Sequence, residues 1–146
     1  VNEPSDEAVL VIRAAMVSDV PQVLALWDHA RSPAAGTPDI PEAANSLIER
    51  PGSALLVAEH DEQIVGSLIV AWDGWRGNMY RLAVLPHLRR QGIATRLVEA
   101  GHEHLRSEGA RRVTALVAHE EEDAVHLWER AGYRQDEQIS RFVRNI

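Results

Sequence analysis

Apolar positions along the chain form two kinds of stretch. In one they run together or alternate over five to ten residues, and in the other they recur every three or four. Val9–Ala15 (VLVIRAA) reads as a first strand. Ser18 or Asp19 can cap a helix that tolerates Pro21 in its first turn and carries Val20, Val23, Leu24 and Trp27 at helical spacing. RSPAAGTP (Arg31–Pro38) has the composition of a loop. Asp39 and Glu42 then form a capping-box pattern ahead of a short helix through Leu47 and Ile48. SALLVAEH (Ser53–His60) and QIVGSLIVAW (Gln63–Trp72) predict two strands around a polar turn at His60–Glu62, and NMYRLAVL (Asn78–Leu85) predicts a fourth strand. Ile93, Leu97, Gly101 and Leu105 fall on one face of a further helix, and RRVTALVA (Arg111–Ala118) reads as a fifth strand. A last helix turns Ala124, Leu127, Trp128 and Ala131 inward and ends at Gly132. The remainder, YRQDEQISRFVRNI (Tyr133–Ile146), can supply one or two closing strands. The order is β-α-α-β-β-β-α-β-α-β(β), a hairpin-containing sheet with helices on its faces, in the α+β or mixed α/β class.

Composition narrows the chemistry. A chain of 146 residues with 45% apolar and 25% charged content is expected to form one domain, residues 1–146. There is no cysteine, which excludes disulfides, thiolate metal sites and cysteine nucleophiles. The formal charge of −7 argues against nucleic acid as a partner. All 15 basic residues are arginine, so neither a Walker A lysine nor a lysine Schiff base is available. No apolar run is long enough to span a membrane, and the polar N-terminus VNEPSDEA is unlike a signal peptide. A cytoplasmic protein without a membrane partner is the expectation.

One junction stands out chemically. VLPHLRRQGIATRL (Val84–Leu97) passes from a strand through two arginines and a glycine directly into a helix. A helix N-terminus presents unpaired amides and the positive end of the dipole, and it binds phosphate where the preceding loop lets the backbone come close. Gly92 removes a side chain at that point, and Ala94 keeps the next inward position small. Arg89 and Arg90 can meet phosphate oxygens, and Thr95 adds a hydroxyl. The set describes a pyrophosphate cradle. The same residues also suit a plain strand-to-helix turn with surface arginines.

RRQGIA (Arg89–Ala94) matches the Gln/Arg-x-x-Gly-x-Gly/Ala signature of the GCN5-related N-acetyltransferases (GNAT). LAVLP precedes it, similar to that family's fourth strand and its exit. AVHLWERAGY (Ala124–Tyr133) resembles the family's Ala-x-x-Leu-Tyr-Glu-x-x-Gly-Phe/Tyr element, and WDGWRGNMYRLAV is similar to a branch of small single-domain bacterial members. The resemblance implies a mixed, mostly antiparallel sheet of six to seven strands with about four helices, acetyl-CoA as cosubstrate, no metal, and a small-molecule or peptide amine as acceptor. A homodimer is compatible with it. It places Leu82, Ala83 and Val84 along the pantetheine, with the Val84 N–H as candidate donor to the thioester oxygen. Arg89, Arg90, Gln91, Gly92, Ile93, Ala94 and Thr95 would hold the pyrophosphate, and Glu121 and Trp128 would face the cofactor from the last helix.

Acetyl transfer to an amine needs a route for the amine's proton. Family members often use a strand-four glutamate, but this strand offers only Asn78, Met79, Tyr80 and Arg81. Asp73, just upstream, is the nearest carboxylate and a candidate base; a turn-forming Asp in DG is the alternative. His87 and His119 are further candidates at strand ends, His119 standing before the acidic run Glu120–Asp123. The family's acidic tyrosine is Trp128 here, whose indole is a donor but no useful acid, and a common helix-start Asn is Glu121. Tyr80 can face the core or the acceptor cleft, and Tyr133 reads as a packing residue. Arg31–Pro38, Trp72–Arg76 and the tail are expected on the acceptor side, with Trp72 and Trp75 either a cation-binding wall or core. A non-catalytic acyl-CoA-binding module and a peptide N-terminal acetyltransferase stay open as alternatives.

Overall fold

A computed structural model describes residues 9–30, 38–118 and 121–146. Segments 1–8 and 31–37 and the pair 119–120 lie outside the described residues, and with them the polar N-terminus, most of the expected loop, His119 and Glu120. The elements are β1 (Leu10–Ala14), α1 (Val20–Ala30), α2 (Pro41–Glu49), β2 (Ala54–His60), β3 (Gln63–Trp72), β4 (Gly77–Val84), α3 (Ile93–Glu108), β5 (Val113–Ala115) and α4 (Glu122–Arg130). Short 3-10 turns at Val17–Asp19 and Pro86–Leu88 precede α1 and α3.

The strands lie in sequence order in one sheet. β1 to β4 pair antiparallel, β2–β3 and β3–β4 as hairpins and β1–β2 across α1 and α2, and β5 joins β4 in parallel after the crossover through α3. Alternating residues send their side chains to two cores. Leu56, Leu68, Val70, Met79 and Val84 pack under α3 and α4 with Leu97, Val98, Leu105 and Trp128. Leu55, Val57, Ile64 and Ala83 pack under α1 with Val23, Leu26 and Trp27. Gly101 lets α3 approach the sheet, since a Cβ there would stand 2.6 Å from Met79 Cε and 3.1 Å from Leu68 Cδ2.

The architecture is the expected α+β class with four helices, but the sheet has five strands among the described residues, not six or seven. The expected closing strands of Tyr133–Ile146 do not form: the tail runs without a ladder, with Ile139 72%, Phe142 94% and Val143 76% exposed. Strand propensity is local, whereas a strand needs a partner edge. Asp39 departs from expectation as well. The residue preceding α2 is Ile40, which makes no side-chain cap, while the Asp39 carboxylate turns to Arg81 of β4 at 2.6 Å. Gly132 does close α4 in a Schellman arrangement: Tyr133 N–H reaches Trp128 O and Gly132 N–H reaches Glu129 O, both at 3.0 Å.

Candidate active site

The sheet opens along β4. β5 pairs with it only over Gly77–Met79, and one further bond runs from Leu116 N–H to Met79 O at 3.4 Å. A bulge sits where this pairing ends. Ile69 faces Tyr80 and Ser67 faces Ala83, so Arg81 and Leu82 together oppose Leu68. Arg81 takes φ +52° there, a left-handed conformation that costs a non-glycine residue on the order of 1–2 kcal/mol.

The bonding around the bulge fixes which way its amides point. The peptides are trans among the described residues, so each carbonyl and the following N–H point to opposite sides. Leu85 N–H bonds Val65 O at 2.9 Å, and antiparallel pairing alternates, so Val84 faces away from β3. Its carbonyl accordingly accepts Nε–H of Arg89 at 3.4 Å. The Arg81 carbonyl accepts the Ser67 hydroxyl at 3.4 Å, which turns the Leu82 N–H to the same open edge as that of Val84. Ala83 is buried against α1.

β4 runs through Pro86–Leu88 into α3, whose residue at the N-terminal boundary is Gly92 at φ +82°. A Cβ there would meet nothing within 4 Å, so the space ahead of the helix is open and glycine serves the backbone conformation. The first intrahelical bond is Arg96 N–H to Gly92 O at 3.1 Å, which leaves the amides of Ile93, Ala94 and Thr95 ahead of the ladder. Arg89, Arg90 and Gln91 are exposed around them. Arg90 stands 3.6 Å from Asp123 in the first turn of α4, and Glu121 is the residue preceding that helix, so the two helix starts lie near each other.

Asp73 lies at the other end of β4, roughly 20 Å from Val84 at about 3.3 Å per residue. Its Oδ1 accepts Arg76 N–H at 2.6 Å and Trp75 N–H at 2.8 Å, and these two amides hold the carboxyl below its ordinary range. It lines a hollow of about 540 Å³ with Arg50, Gly52, Trp72 and Glu108. Trp72 is half-buried there, whereas Trp75 is 78% exposed beneath the Arg76 guanidinium, so the two indoles do not form one wall. Tyr80 pairs with Ile69 on the α1 side; burial first and the Asp73 charge second raise its pKa. His87 is exposed in the 3-10 turn.

Trp128 is 5% exposed in the core under α3, its ring edge-on to Tyr133 at 4.9 Å. A buried cluster on the opposite face had no local signal. Trp27 Nε1–H donates to Ser67 Oγ at 2.8 Å, and the Arg81 guanidinium lies 5.6 Å from the Trp27 ring centre. These partners are 40 or more residues apart, beyond any local pattern. Among the described residues no group of three or more His, Asp or Glu could hold a metal ion, and no helix is long and apolar enough to cross a membrane.

β4 leaves its parallel neighbour after Met79 and runs into a glycine-led helix start. The Acetyltransferase (GNAT) family model matches residues 20–133, and the chain belongs to that family. It is 28% identical over 128 residues to Acetyltransferase YE1169 of Yersinia enterocolitica, covering 88% of this chain and 90% of that protein. Acetyltransferase plu1384 of Photorhabdus laumondii is 27% identical over 129 residues, with the same coverage. The fold is shared with the aminoglycoside N-acetyltransferase AAC(6')-Iy in complex with CoA, at a TM-score of 0.79 and 16% identity over 99% of this chain and 100% of that one. The protein is an acetyltransferase.

Proposed function

We propose that the chain transfers the acetyl group of acetyl-CoA to a primary amine of a small molecule. The observation that carries this reading is the open β4 edge leading into the Gly92 helix start. Pantetheine would pair with the outward backbone of Leu82 and Val84 beside Ala83. The pyrophosphate would sit on the amides of Ile93, Ala94 and Thr95, with Arg89, Arg90 and Gln91 around it. Glu121 would border the site from α4, with Trp128 packed behind it in the core.

The amine nitrogen attacks the thioester carbonyl carbon directly. The oxygen takes the negative charge, and an outward amide of β4, Val84 or Leu82, stabilises it. Collapse breaks the C–S bond and expels the CoA thiolate, which takes its proton from water, since Trp128 offers no useful acid. The amine's proton leaves through a water chain, and Asp73, roughly 20 Å from Val84, can take it only at the far end of that chain. The aminoglycoside N-acetyltransferase that shares the fold and the formal charge of −7 both support a cationic acceptor.

The test is CoA release across a panel of small amines, amino sugars and peptide N-termini, beside calorimetry with acetyl-CoA. Turnover on a small amine is expected. Turnover confined to peptides would replace the acceptor class, and no acetyl-CoA binding would overturn the reading.

A further inference from the structure

We propose that Arg81 is a positioning residue: fixed by Asp39, it holds the β4 bulge in the conformation that aims the Leu82 amide at the thioester oxygen. The inference rests on the reading that the thioester lies against the open edge of β4.

Two tethers converge on this one residue. Its Nη2 lies 2.6 Å from Asp39 Oδ1, with the two side chains only 13% and 15% exposed. Its carbonyl accepts the Ser67 hydroxyl, and Ser67 Oγ in turn accepts the indole N–H of Trp27. The guanidinium lies over that same indole. One buried ring therefore supports the head of Arg81 and also fixes the hydroxyl that holds its carbonyl. A left-handed arginine is unfavourable by itself and persists where the surroundings over-determine it. The carbonyl bond is the part that matters for the site, because it turns the peptide and with it the Leu82 N–H.

Asp39 adds a second consequence. It lies two residues ahead of α2, which begins at Pro41 on the α1 side of the sheet. The ion pair thus joins the chain entering α2 to the donor amide in β4. Its rigidity is set by a charge-assisted contact across 42 residues of sequence, from 39 to 81.

The test uses acetyl-CoA isotope-labelled at the thioester carbonyl, bound to the intact protein and read by infrared difference spectroscopy. A hydrogen bond to the carbonyl lowers its stretching frequency. The wild-type protein is expected to lower the band. Asp39→Asn and Arg81→Ala, which remove the ion pair and leave a residue with a Cβ at the left-handed φ of +52°, should return it toward the free position while acetyl-CoA still binds. Turnover should fall about tenfold or more, with the KM for acetyl-CoA little changed. Asp39→Glu keeps the pair and should keep the lowered band. If Arg81→Ala loses its fold in a thermal melt, Asp39→Asn decides on the same criteria. A lowered band and full turnover in the variants would overturn the role of Arg81 alone. A free-position band in the wild-type protein would overturn the reading beneath it.

Discussion

The hydroxyl of Tyr133 and Nε2 of His102 lie 2.6 Å apart, with their rings stacked at 5.6 Å. The contact fastens the first residue beyond the α4 cap to α3. Burial lowers the His102 pKa, the Arg106 cation adding to it, and burial pushes the Tyr133 hydroxyl up to about 12. The unfolded chain therefore takes up a proton at His102 at a higher pH than the folded one. Stability is full above the ordinary histidine value and falls as pH drops from there through the lowered folded value. The melting temperature is expected to decline between about pH 7 and pH 5, with a shallower decline in His102→Gln. Parallel pH curves for the two proteins would remove His102 as the cause.

Gly92 concerns binding instead of folding. Gly92→Glu puts bulk and negative charge into the open space ahead of α3. Acetyl-CoA affinity should drop by roughly tenfold or more, about 1.4 kcal/mol. The left-handed φ of +82° also strains the new residue. Gly92→Asn, which tolerates that conformation and adds no charge, serves as the control. Calorimetric titration separates the two effects, and equal affinity in Gly92→Glu and wild type would place the pyrophosphate elsewhere.

Asp73 can be tested without disturbing its turn. Asparagine retains the oxygen that receives the Trp75 and Arg76 amides. Any effect of Asp73→Asn then reports the charge. Turnover at neutral pH should fall more than acetyl-CoA affinity does. Because those amides lower the Asp73 pKa, its carboxylate stays ionised through neutrality, and a limb of the pH–rate profile near pH 7 belongs to another group, the amine included. Wild-type turnover in Asp73→Asn would leave Asp73 a turn residue.

What was legible in the sequence was local. The bounds of β3, the apolar face of α3 and the Gly92 junction all rest on residues within a few positions of one another, where periodicity and glycine placement carry the information. The Asp39–Arg81 pair could not be read that way. Asp39 three residues before Glu42 satisfies a local capping pattern, yet Ile40 is the residue that precedes α2 and the Asp39 carboxylate pairs with a guanidinium from another part of the chain. The β4 bulge has the same origin: no glycine marks it, and the left-handed residue is an arginine held by Trp27, Ser67 and Asp39. The tail errs in the opposite direction. Ile139, Phe142 and Val143 suit a strand by propensity, but only a neighbouring edge makes one.

Trp128 combines packing with chemistry, and the two can be separated. Its ring is buried in the core beneath α3, edge-on to Tyr133. Its indole N–H is no acid near neutral pH. Trp128→Phe keeps most of the apolar volume and should keep most of the activity. Trp128→Ala leaves a cavity beside Tyr133 and should cost roughly 3–5 kcal/mol of stability in denaturant melts. Trp128→Tyr supplies a hydroxyl at the position where the family's tyrosine stands and is expected to raise turnover. General acid catalysis is typically worth about 10²–10⁴-fold. A loss of that size in Trp128→Phe, with the melting temperature and acetyl-CoA affinity intact, would mean that the indole N–H takes part in the chemistry and that water is not the acid.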